Sequence, residues 1–238
     1  MKKSMIVATL ALAASFALET RADDEREWDW SPVGFGIAAP VQLPYTYTDI
    51  KGARFGGFYG YNRNVYGFDM GFVGMELDDF KGCQLAAFTW SSGAVVGAQF
   101  GLFANIVHDT TTGFQFGLAN VDYGDVVACQ FGAINSVGAF KGVQVGMFNW
   151  DGLEYYGLQF GIVNYARGKF EGCAFGILDY TAELKGAQIG LFNSATTVKG
   201  VQVGLVNACE TISGFQLGLV NMITESPVPL MVLANGTF

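Results

Sequence analysis

The chain has 238 residues, of which 51% are hydrophobic and 14% charged, and a formal net charge of −8. So acidic a balance argues against nucleic acid as a partner, because binding there depends on Lys and Arg neutralising phosphates. The apolar half of the chain contains no run long enough for a spanning helix, so it must be spread over a periodic fold.

Residues 1–22 read as a secretory leader. Lys2 and Lys3 precede an apolar run from Met5 to Ala17, and Thr20-Arg21-Ala22 forms a small-x-small cleavage site. No Cys stands near that site, so the lipid anchor of a lipoprotein is not expected. Asp23 to Asp29 is an acidic, solvated stretch. Trp28, Trp30 and Pro32 introduce a first strand at Val33 to Ala39, followed by a Pro-punctuated connection to Tyr47. The expected organisation is a leader at 1–22, an N-terminal stretch with the first strand at 23–49, and one repeat-built domain at 50–238.

From Gly52 onward a single motif, G-x-Q-x-G-L-V-N, recurs. With its first Gly as position 1, copies begin at Gly52, Gly67, Gly82, Gly97, Gly113, Ala128, Gly142, Gly157, Gly172, Gly186, Gly200 and Gly214, twelve in all and 14 to 16 residues apart. Self-similarity at fixed period means that each copy adds the same structural element. Within a copy the residues alternate as in a strand. That alternation puts Val198, Gly200, Gln202, Gly204 and Val206 on one face and Lys199, Val201, Val203, Leu205 and Asn207 on the other. Turns are expected at Ser91-Ser-Gly93, Asp122-Tyr-Gly124, Asp151-Gly152 and Ala166-Arg-Gly168.

Position 3 carries Gln84, Gln99, Gln115, Gln130, Gln144, Gln159, Gln188, Gln202 and Gln216. These should form one continuous belt in which the amides satisfy one another. Arg54 and Asp69 take the same position in adjacent copies and should pair; no other charge falls between positions 1 and 7. Lys81, Asp125, Lys141, Glu154, Lys169, Glu171, Lys185, Lys199 and Glu210 fall at strand ends or in turns. Cys83, Cys129 and Cys173 share position 2, three copies apart, which at about 4.8 Å per strand puts them beyond disulfide reach. Cys209 falls in a turn.

Two all-β architectures accommodate such repeats. The first is an antiparallel up-and-down barrel of about fourteen strands, the twelve copies plus Val33 to Ala39 and Leu230 to Phe238, with the apolar face in lipid and the Gln face lining a lumen. Phe238 then acts as an assembly signal, and the partners are outer-membrane lipid and the barrel-assembly machinery. The alternative is a parallel β-solenoid with its apolar face inward and Gln and Asn ladders along the stack.

The repeats, the opening stretch PVQLPYTYTDIKGARFGGFYGYNRNVYG and the closing stretch ESPVPLMVLANGTF resemble a family of bacterial surface-repeat proteins of unknown activity. The resemblance covers roughly Pro40 to Phe238 and implies an exported protein of the outer membrane or cell surface; it brings no catalytic residue. The sequence itself offers little chemistry. The single His, His108, sits beside Asp109 in a turn, and Asp78 and Asp79 are a solvated pair. No catalytic residue, cofactor or metal site is expected. The reading is a non-enzymatic envelope protein, either a Gln- and Gly-lined pore or a structural protein, with a secreted solenoid that displays its ladders for binding or adhesion as the alternative.

Overall fold

The computed structural model describes residues 30–39 and 41–237. The expected leader, the acidic stretch and the terminal Phe238 lie outside the described residues. These are built from strands and turns, with no helix among them. Each copy of the motif forms one rung, and successive rungs stack in parallel and in register. Gly82 lies opposite Gly97 and Gln84 opposite Gln99, and likewise Gly200 faces Gly214 and Gln202 faces Gln216. The protein is a β-solenoid, and the antiparallel barrel is corrected by this register. Strand alternation is the same in both architectures. The difference lies in the path of each copy, which makes a full circuit and returns to its starting edge where a barrel strand would cross once.

The circuit depends on a corner within the motif. In the second rung Val65–Met70 ends before Gly71 and the strand resumes at Val73–Glu76. Position 5 turns inward against the position 8 side chain, and a Cβ on Gly132 would come within 2.8 Å of Asn120 Nδ2 and 3.2 Å of Asn135 Oδ1. Positions 6 and 7 both face outward, so the alternation loses its phase at the corner. Positions −1 and 3 point inward before it, and positions 8 and 10 after it. Asn207 is therefore buried while Val206 is partly exposed, the reverse of what unbroken alternation gives.

The solenoid is closed at each end by a reversed strand. Trp30–Ala38 stacks in parallel on Asp49–Asn62 and is itself covered by the antiparallel Val41–Leu43. The first strand thus begins three residues ahead of Val33. At the other end Leu230–Thr237 runs antiparallel to Val206–Ile223.

The position 1 glycines hold the rungs together. Gly97 has φ +138°, a region that L side chains rarely adopt, and a Cβ there would overlap the carbonyl oxygen of Gly82 in the rung below. Inside, the main apolar column of the core is position −1, joined by apolar residues of position 10 such as Val137 and Ile223. Its rings Phe140, Tyr155 and Phe170 stack with centroids 5.1 and 4.7 Å apart.

Candidate functional site

The interior contrasts with a usual core because two of its four inward columns, positions 3 and 8, are largely polar and a third, position 10, is mixed. The Gln belt is fully buried, from Gln84 to Gln216. Each amide donates to the rung before it: Gln99 Nε2 to Gln84 Oε1 at 2.9 Å, Gln130 to Gln115 at 2.6 Å, and Gln216 to Gln202 at 2.8 Å. The belt consists of two runs and is not continuous, because Ala174 occupies position 3 of the ninth copy and leaves Gln159 Oε1 without a donor. The column encloses no lumen. Its side chains are packed on one another, which removes the basis for a Gln-lined pore, and the ladders are not an outer binding surface either.

A second ladder at position 8, which Asn105 joins one place later because its copy carries an extra residue at the corner, runs the other way. Asn105 Nδ2 donates to Asn120 Oδ1 at 2.7 Å, and Asn120, Asn135 and Asn149 each pass a hydrogen to the next rung at 2.8 Å. The remaining N–H of each closes the corner backbone: Asn105 to Phe116 O at 3.0 Å and Asn149 to Phe160 O at 3.0 Å. Two antiparallel rows of amide dipoles oppose each other, so the polar interior has no large net dipole along the axis.

Buried carboxylates interrupt these rows. Arg54 does meet Asp69: its Nε and Nη2 donate to the two carboxylate oxygens at 2.7 and 2.8 Å. A third member was not evident from the motif, for Nη2 also donates to Glu76 Oε1 at 2.5 Å and Nη1 to Met75 O at 2.7 Å. Glu76 further accepts from Gln84 at 2.8 Å and Ser91 at 2.8 Å. Burial pushes its carboxyl up, against the pull of Arg54 and with the help of Asp69. Glu76 stands at position 10, and so do Asp122 and Asp151, which the sequence assigns to turns. Both are buried as the last inward residue before the turn. Burial raises Asp122 to about 6, opposed by hydrogen bonds from Thr111, Gln115 and Gln130. It raises Asp151 to about 7, where Gln159 donates to Oδ2 at 2.5 Å and Oδ1 has no protein partner. Asp179, at position 8, is raised to about 6 by burial. Cys209 also points inward at position 10, with its thiol pushed up to about 11 by burial. Cys83, Cys129 and Cys173 are free, half-buried thiols.

The outer surface divides into two parts. Positions 2, 4, 6, 7 and 9 face outward in most rungs and carry no charge in any of the twelve; the exceptions are Ala87, buried at position 6, and the first and fourth copies, where an extra corner residue brings Gly60 and Asn105 inward at position 9. They make one apolar corner with flanks along the stack, about 55 Å long at ~4.8 Å per rung. Leu102 is 67% and Leu118 56% exposed at its crest. The charges lie on the opposite edge, around positions −2 and 0 and the turns, where Glu171 pairs with Lys169 and Lys185.

No family model, no curated protein and no solved structure matches this chain.

Among the described residues, grooves lie on both parts of the outer surface. One, about 970 Å³, runs along the charged edge and mixes Lys141, Arg167 and Lys169 with Asp125, Glu154 and Glu183. Another, about 550 Å³, opens on the apolar crest where Ala133 stands between Leu118 and Met147. His108 is exposed on the outer face, its ring 4.5 Å from Trp90 and 5.0 Å from Tyr123. Asp79 caps a turn by accepting from Ala94 N at 3.0 Å, and Asp78 is exposed. Among the described residues no group of three or more His, Cys, Asp or Glu is placed to hold a metal ion, and no helix is long and apolar enough to cross a membrane.

Proposed function

We propose that the chain is a non-enzymatic surface protein of the bacterial envelope whose working part is the outer face of the solenoid. One observation carries this reading: the uncharged corner extends over all twelve rungs, whereas the largest apolar patch on an ordinary soluble monomer is a few hundred Å². Most of the polar repeat side chains are buried in the interior, away from the outer face. The address is supported by the leader-like residues 1–22 and by the resemblance to bacterial surface-repeat proteins.

The test is surface labelling of intact cells that express the full chain with its own N-terminus. A membrane-impermeant amine reagent should modify Lys81, Lys141 and Lys199, which stand exposed on the charged edge. Labelling only after lysis would overturn the envelope address.

A further inference from the structure

We propose that the apolar corner docks into a lipid surface, with the stacking axis along the membrane plane and the charged edge turned to water. This rests on the envelope reading above and names the partner of that surface.

The backbone is the first reason. Hydrocarbon leaves no water to bond exposed N–H and C=O groups, so only a backbone satisfied from within can enter it. At this corner the rungs satisfy one another: Ala133 N donates to Leu118 O at 2.9 Å, Met147 N to Ala133 O at 3.0 Å, and Gly132 N to Val145 O at 3.0 Å. The buried Asn ladder adds a second donor from inside, as with Asn135 Nδ2 to Val145 O at 3.2 Å.

Uniformity of the wall is the second. A protein partner needs polar groups to fix its register, about one hydrogen bond per 100–200 Å² of interface. The crest offers mainly Leu, Val, Phe, Ile and Met, broken by Gly57, Ala87, Ala119 and Ala133, with no polar side chain to fix a register. A fluid apolar phase requires no register. The flank then changes chemistry where an interface would lie: Trp150, Tyr165 and Tyr180 stack along position 9 with centroids 4.2 and 5.0 Å apart. Trp and Tyr are the side chains favoured at headgroup depth. From position 4 to the crest is about three residues, or ~10 Å at ~3.3 Å each, the depth to which interfacial proteins bury their apolar face. The Ala133 groove, lined by apolar side chains and glycines, has the form to take an acyl chain.

Because the contact is apolar and the protein acidic, binding should need no anionic lipid and should survive high salt. The experiment is flotation of the purified full chain with phosphatidylcholine vesicles in about 0.5 M NaCl, where the Debye length is only a few ångströms. Wild type should float. Leu118→Glu with Leu191→Glu, both at exposed positions, should lower the bound fraction by roughly ten-fold or more, since charge is excluded from hydrocarbon. Lys141→Glu with Lys199→Glu, on the opposite edge, should change nothing. Independently of any variant, lipids brominated in the acyl chains should quench the fluorescence of wild-type Trp90 and Trp150. Wild type that stays unbound, or wall variants that float equally well, would overturn the proposal. So would a doubled mass in solution without vesicle binding, which would give the wall to a second copy. Surface-labelled cells together with failed flotation would remove the lipid partner and keep the envelope address. Flotation without surface labelling would do the opposite.

Discussion

Asn164 donates its Nδ2 hydrogen to Asp179 Oδ1 at 2.7 Å, and at Asp179 the ladder runs out of donors. An ionised carboxylate has no hydrogen for the next rung, so Asp179 Oδ2 and Asn193 Oδ1 are both buried without partners. They lie at one spot, since a Cβ on Gly190 would be 2.8 Å from the first and 3.0 Å from the second. An amide or a protonated acid at residue 179 repairs both defects.

Asp179→Asn should therefore stabilise the protein at pH 8 by about 1–3 kcal/mol, the usual cost of leaving buried polar groups unsatisfied. At pH 4, where Asp179 is already protonated, the variant should gain much less. Thermal melts at the two pH values check this. Equal melting temperatures for variant and wild type at pH 8 would show that the two oxygens are satisfied by water.

The pH dependence of the whole fold should follow the same sign. Asp122, Asp151 and Asp179 have folded-state values raised by burial to about 6, 7 and 6, from an ordinary 3.8. Between those limits the native state binds more protons than the unfolded chain, so stability falls as pH rises. The stabilisation is full below pH ~4 and is lost by pH ~7; for Asp151 alone a shift of about three units amounts to roughly 4 kcal/mol. Urea or guanidinium midpoints should be higher at pH 4.5 than at pH 8, opposite to the acid lability of proteins that rely on salt bridges. A midpoint that rises from pH 4.5 to 8 would contradict the buried, unpaired state of these acids.

Much of this was readable from the motif and some was not. Repetition, the strand period and the pairing of Arg54 with Asp69 depend on spacing alone, and spacing is written in the chain. Rung direction is not, because the alternation of Gly200, Gln202 and Gly204 fits parallel and antiparallel neighbours alike. The inward role of Asn207, Asp122 and Asp151 was hidden by the phase slip at Leu205 and Val206, which makes even-numbered positions take over from odd ones. One signal could have exposed it. In the third copy Thr89 stands where the Asn ladder begins, and there Ala86 replaces the position 5 Gly, as expected if a smaller partner frees space for a Cβ at the corner.

The position 1 glycine supplies a sharper test of the stacking. Gly97→Ala places a Cβ onto the Gly82 carbonyl at a backbone angle unsuited to L residues, and the overlap involves backbone that cannot move aside. It should cost several kcal/mol, on the order of 3, with the loss concentrated in rungs three to five because solenoid rungs couple only to neighbours. At Ala128, where the chain has found a backbone without positive φ, Ala128→Gly should cost less than about 1 kcal/mol. Hydrogen exchange resolved by rung reads both. Uniform protection in the Gly97 variant would show that the rung spacing gives way.

The triad near the N-terminal end gives the last test. Arg54 is buried with Asp69 and Glu76, and among the described residues it is the one cation in the interior. Arg54→Met strands two carboxylates that accept from the same guanidinium, and losing one side of a buried ion pair costs about 3–5 kcal/mol. Replacing all three, Arg54→Met with Asp69→Asn and Glu76→Gln, removes the charges together and leaves Gln84 with acceptors on both neutral amides. The triple variant should recover most of the loss, and the single variant should recover part of it at low pH as Glu76 takes a proton. Asp69→Asn alone should cost less than Arg54→Met, since Glu76 keeps a partner for the cation. Stability of the single and triple variants by denaturant titration at pH 5 and pH 8 separates these cases. A triple variant as unstable as Arg54→Met would mean that the guanidinium matters through its packing and its bond to Met75 O, and not through charge.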